Sequence, residues 1–120
     1  MARKITLDDV RKLALALPGV VEGTMYGGVA FRVGGRMFAC QATNRVAEPD
    51  SLVVCLDFEQ RDELLRIEPG TYYLKEHYVG YPCVLVRLAR VHPDAISGLL
   101  RTAYNFVGRS RSKPRARRRS

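Results

Sequence analysis

The sequence has no tryptophan, only two histidines and three cysteines, and no acidic residue after Asp94. Each shortage excludes something. Cys40, Cys55 and Cys83 are odd in number and widely spaced, with no CxxC and no clustered histidine, so neither a disulfide framework nor a zinc site is expected. They read as reduced, mostly buried thiols of a cytoplasmic protein. Uninterrupted apolar stretches are short, such as Leu13 to Leu17, and Met1 to Val10 has no apolar h-region, so neither secretion nor membrane insertion is expected. His77 and His92 stand without a carboxylate pair or a ligand cluster. Cys83 and His77 could be imagined as nucleophile and base, but Pro82 lies between them and Cys83 opens an apolar strand, where a thiol is normally inert. No catalytic residue, metal or cofactor is therefore expected.

What is present is an ordinary domain with an unusual end. Its 120 residues, 47% hydrophobic and 27% charged, suit one globular core and exclude wholesale disorder and coiled-coil rod. The net charge of +8 is unevenly placed, because Arg109, Arg111, Lys113, Arg115, Arg117, Arg118 and Arg119 carry seven of the bases. Residues 1–108 hold thirteen bases against twelve acids, or +1. Residues 109–120 include no large hydrophobe and are expected to be a disordered tail beyond a domain of residues 1–108.

Thr6 can cap a helix whose apolar positions Leu7, Val10, Leu13, Ala14 and Leu17 follow the 3.6-residue period, and Pro18-Gly19 ends it. Val29 to Val33, Gly34-Gly35 and Arg36 to Ala42 have the pattern of a hairpin with a two-residue turn. That register pairs Val33 with Arg36, Phe31 with Phe38 and Val29 with Cys40 on a core face, and turns Ala30, Arg32, Met37 and Ala39 to the other. A third strand, Leu52 to Leu56, leads into a short acidic helix opened by Asp57 and Gln60 in a capping box. Tyr72 to Leu74 and Cys83 to Val91 read as strands around the aromatic segment His77 to Pro82. Pro93 starts a last helix that buries Ile96, Leu99, Leu100, Ala103 and Val107, with Gly108 as its C-cap. The expected fold is α+β, in the order α-β(3)-α-β(2)-α, an antiparallel sheet with helices packed against it. Tyr26-Gly27-Gly28 reads as a turn, not a phosphate cradle, because no helix with a following Lys-Ser/Thr appears.

Phe31-Arg32-Val33-Gly34-Gly35-Arg36-Met37-Phe38-Ala39 and His77-Tyr78-Val79-Gly80-Tyr81-Pro82-Cys83-Val84-Leu85-Val86, with the Leu17-Pro18-Gly19 helix ending, resemble the MmcQ/YjbR family of small bacterial proteins. The resemblance covers Thr6 to Val107. It implies a fold grouped with CyaY-like and secretion-chaperone-like proteins, a double-wing shape, and the label DNA-binding, without catalytic residues. The basic tail extends past the usual end of that domain.

Clustered Arg and Lys release counterions from any polyanion, so nucleic acid is the expected partner, DNA before RNA and without sequence preference. A merely solubilising tail, or one docking an acidic protein, is the competing reading. Within the domain no acid occurs between Glu22 and Glu48 or between Glu76 and Asp94. A mildly positive strand surface is thus expected, with Arg32, Arg36 and Arg87 as phosphate contacts and His77 and Tyr81 as stacking groups. Against this stand solvated strand arginines and an aromatic loop that simply packs. The alternative function is a monomeric protein-interaction adaptor with an incidental tail.

Overall fold

The computed structural model describes residues 4–43 and 47–117, with side chains as far as Gly108. Helix α1, Leu7–Leu15, starts at a full capping box. Thr6 Oγ1 accepts from the Asp9 amide, and the Asp9 carboxylate accepts from the Thr6 amide at 2.9 Å. Six strands follow in one antiparallel sheet: β1 Val20–Met25, β2 Gly28–Val33, β3 Arg36–Gln41, β4 Ser51–Cys55, β5 Tyr72–Tyr73 and β6 Cys83–Arg87. Their spatial order is β1-β2-β3-β4-β6-β5. Helix α2, Phe58–Ile67, stands between β4 and β5, capped by Asp57 Oδ1, which accepts from the Gln60 amide at 2.8 Å. Helix α3, Pro93–Arg117, follows β6. The α+β class is as expected.

The structure adds a strand. β1 escaped the sequence pattern because it is an edge strand whose residues alternate weakly between exposed and half-buried. It pairs with β2 along its whole length, Val20 with Val33 through Met25 with Gly28. The turn between them is Tyr26-Gly27, both at positive φ, which agrees with the turn reading of that segment. Gly34 and Gly35 (φ 60° and 81°) form the expected turn between β2 and β3, with the twist that a two-residue hairpin favours.

The register of that hairpin needs correction. Val33 pairs with Arg36 and Arg32 with Met37 as that register requires, but a bulge then shifts the strand, so that Phe31 faces Ala39 and Ala30 faces Cys40. Phe38 is the extra residue, and both it and Ala39 join the main core. Cys40 is thereby turned to the opposite face, beside Ala30, Val53, Tyr73, Cys83 and Leu85. Phe31 and Phe38 are fully buried, as expected, for a different geometric reason.

The main core lies between the sheet and α1, α2 and α3, with Ile96, Leu99, Leu100, Ala103 and Val107 buried along α3. The other face carries the smaller cluster around Cys40 and Leu85, partly covered by Ala42, Ala47 and Tyr78. Two elements end earlier than their apolar patterns suggested: α1 at Leu15, and β6 at Arg87, after which the chain turns. Helix α3 instead continues past Gly108, its expected C-cap, through Arg117. Arg, Lys and Ala are good helix formers, and cations near a helix C-terminus complement its dipole. Arg118 and Arg119 lie outside the described residues.

Candidate nucleic-acid interface

Helix α3 crosses the sheet along β3 and β4 toward the end at which β2 turns into β3. Near its exit the Tyr104 ring meets Phe38 edge-on at 5.8 Å, and the Tyr104 hydroxyl donates to the Pro18 carbonyl. Pro18 lies two residues before β1, whose Val20 pairs with Val33 at the turn. Val107 is the last large side chain of α3 in the core. Residues 109–117, with five of the seven bases, therefore continue from the hairpin-tip end of the sheet.

The same end gathers part of the expected site. Arg36 opens β3 paired with Val33, is exposed, and its side chain has no hydrogen-bond or ion-pair partner among the described residues. Behind it, the Cys55 thiol at the end of β4 donates to the Met37 carbonyl at 3.4 Å, and Cys55 pairs across the sheet with Cys83. Tyr81, two residues before Cys83, is 60% exposed. His77 is also exposed, with its ring edge-on to Tyr78 at 5.0 Å. The segment is anchored from α2 by Arg61, which donates from Nη1 to the carbonyls of Val79 and Tyr81 at 2.9 and 3.1 Å. Arg61 is itself buried against Phe58, so its task is to hold the loop. Sequence alone showed a cation on an acidic helix, with nothing to indicate its burial.

Arg32 and Arg87 are placed differently from the expectation of an exposed sheet face. Arg32 is half-buried, lies across Gly23 of the edge strand, and donates from Nη2 to the Thr24 carbonyl at 3.1 Å. Arg87 sits at the far end of β6. Its Nε and Nη2 reach the two carboxylate oxygens of Glu48 at 2.8 Å each, and its Nη1 reaches the carbonyls of Pro69 and Gly70. The guanidinium also covers the Tyr73 ring, with 4.3 Å to the centroid. Tyr73 in turn accepts from the Glu48 amide and shares a hydrogen bond with Ser51. This network straps the loop before β4 over the sheet and leaves Arg87 no free fork for a phosphate. The ion pair holds the Glu48 carboxyl below the usual carboxylate range, and the hydrogen bond to Glu48 raises Arg87.

Other charges are arranged around this end. The neighbouring acid on β1, Glu22, accepts from Arg11 Nε at 2.9 Å, and Asp8 from Arg11 Nη1 at 3.0 Å. Arg101, exposed on α3 with no ion-pair partner among the described residues, is a further cation that the sequence reading passed over; the apolar stripe of α3 leaves that position outward. Helix α2, which carries Glu59, Asp62 and Glu63, packs on β5 and β6 at the far side of the sheet from β1. Burial pushes the Cys40 and Cys83 thiols up to about 11 and Cys55 to about 12, so all three are protonated at neutral pH. The three are free thiols.

Residues 15–106 match the YjbR family model. The chain belongs to the YjbR family. An uncharacterized protein of Mycobacterium tuberculosis and one of Mycobacterium bovis are each 28% identical to this YjbR domain, over 82% of this chain and 85% of theirs. The crystal structure of Deinococcus radiodurans protein DR2400, a DUF419 domain, is similar with a TM-score of 0.73 and 26% identity, covering 94% of this chain and 88% of that one. The family match ends at residue 106, so the basic segment lies beyond it. No helix among the described residues is long and apolar enough to cross a membrane.

Proposed function

We propose that this YjbR domain is a cytoplasmic, non-catalytic binder of nucleic acid that holds backbone phosphates through residues 109–119, with Arg36 as an ordered second contact. The observation that carries the reading is the continuation of α3 from the hairpin-tip end of the sheet through Arg117, over five of the seven tail bases and no acid. Duplex DNA is the favoured target because its charge density, about one phosphate per 1.7 Å of axis, makes counterion release largest. Tyr81 and His77, exposed at the same end, can stack on an unpaired base. Arg32 contributes only if it leaves the Thr24 carbonyl, and Arg87 stays with Glu48.

The test is a salt titration of the full chain and of residues 1–108 against duplex DNA, single strands and RNA. With all seven charges engaged, log K falls against log salt with a slope of about −6 on duplex and about −5 on single strands, both upper limits. Deleting 109–120 should flatten the slope and remove most of the affinity, whatever the base sequence. In the truncated background Arg36→Ala should lower the residual affinity further. An unchanged slope after truncation would refute the proposal.

A further inference from the structure

Helix α2 packs on β5 and β6, whereas α3 packs on β2, β3, β4 and α1, so the two share a face of the sheet without closing on each other. Between them lies an open groove of about 680 Å³. Leu56, Leu64 and Leu99 contribute to its floor, and Glu59, Glu63 and Asp94 stand on its rim. Outside the buried Leu99, helix α3 lines the middle with the small residues Ala95, Gly98 and Thr102, which leaves a trough.

The lining contains three carboxylates and no cation. Glu63 is shared with exposed Arg66 at 2.8 Å, a surface pair that adds little, while Glu59 has no ion-pair partner among the described residues. Asp94 is almost fully exposed, with His92 at 3.9 Å. Such a rim repels phosphate, so the groove is no extension of the nucleic-acid site. The groove spans Asp94 to Thr102 on α3, about 12 Å of helix axis, or some two turns of a guest helix.

We propose that the α2–α3 groove is the docking site for a cationic amphipathic helix of a partner protein. An apolar stripe seats on half-buried Leu64 and on Ala95 and Gly98, above the buried Leu56 and Leu99, and flanking Lys or Arg side chains reach Glu59, Glu63 and Asp94. Charge complementarity selects the sign of the guest and the apolar floor selects its amphipathicity. The basic segment of a second copy matches the rim but has no large hydrophobe for the floor.

The probe is a labelled Leu/Lys peptide with leucines at helical i, i+3, i+4, i+7 spacing, followed by fluorescence anisotropy against the full chain. An all-Lys/Ser peptide of equal charge is the control. A Cβ added at Gly98 meets nothing within 4 Å, so Gly98→Leu fills the trough while favouring the helix. It should weaken the Leu/Lys peptide about tenfold or more and leave DNA affinity unchanged. Glu59→Gln with Glu63→Gln should weaken it and flatten its salt dependence, with circular dichroism melts confirming that each variant is folded. Equal affinity of the parent and Gly98→Leu, or equal binding of the control peptide, would overturn the proposal. So would self-association of the full chain that Gly98→Leu and tail deletion both abolish, which would give the groove to a second copy.

Discussion

Replacing Phe38 by alanine tests the β2–β3 bulge and the anchoring of α3 together. Phe38 is the extra residue of the bulge, fully buried, and its ring abuts Tyr104 at 5.8 Å and 87°. Truncating a buried phenylalanine costs about 3–5 kcal/mol through lost transfer energy and the cavity left behind. About 0.5–1.5 kcal/mol of that reflects the edge-to-face geometry. A protein of 120 residues has a total stability of about 6–18 kcal/mol, so the loss is a substantial fraction. With an m-value of about 1.5 kcal/mol/M the urea midpoint should fall by about 2–3 M. Equilibrium urea unfolding followed by circular dichroism measures this, with Phe38→Leu as a milder variant that should lose less. A double-mutant cycle with Tyr104→Leu should return a coupling of about 0.5–1.5 kcal/mol. A loss below about 1 kcal/mol together with no coupling would show that Phe38 does not occupy the core beneath α3.

The buried thiols should be chemically quiet. At pH 8, Cys40, Cys55 and Cys83, pushed up to about 11, 12 and 11, should react with dithiobis(nitrobenzoate) far more slowly than in the urea-unfolded chain. A rapid burst of one equivalent from the native protein would contradict their burial. The Glu48–Arg87 strap should appear in acid. Glu48 has a lower pKa folded than unfolded, so its stabilisation is present above the unfolded carboxylate pKa and is lost as pH falls through the folded value. The melting-temperature gap between the parent and Glu48→Gln should therefore be widest near neutral pH and shrink as pH falls below the unfolded carboxylate value of about 4.3. A gap that stays constant across that range would mean that the ion pair contributes nothing.

The parts legible in the sequence were those decided by neighbours along the chain. Thr6 as a cap and Asp57 with Gln60 mark helix starts locally, and Gly34-Gly35 marks a turn by the backbone angles it requires. The apolar stripe from Ile96 to Val107 names its own buried face through the 3.6-residue period. The uneven distribution of charge, with seven bases after Gly108, is likewise a property of sequence alone.

Tertiary structure decided what depends on partners far along the chain. β1 is a strand because β2 supplies its hydrogen bonds, and its own weak pattern could not announce it. Phe38 and Ala39 share a face because a bulge adds a residue opposite Phe31, a choice set by packing under α3. Arg87 resembled any strand arginine until the fold brought Glu48, 39 residues away in sequence, onto its guanidinium. Arg36 stays exposed at the start of β3, and Tyr104 of α3 is held between Phe38 and the Pro18 carbonyl, residues far from it in sequence. Local geometry fixes which residues can form an element, since caps, turns and periodicity act over a few residues. Which charges are neutralised and which stay free depends on long-range packing, and a one-dimensional pattern does not contain it.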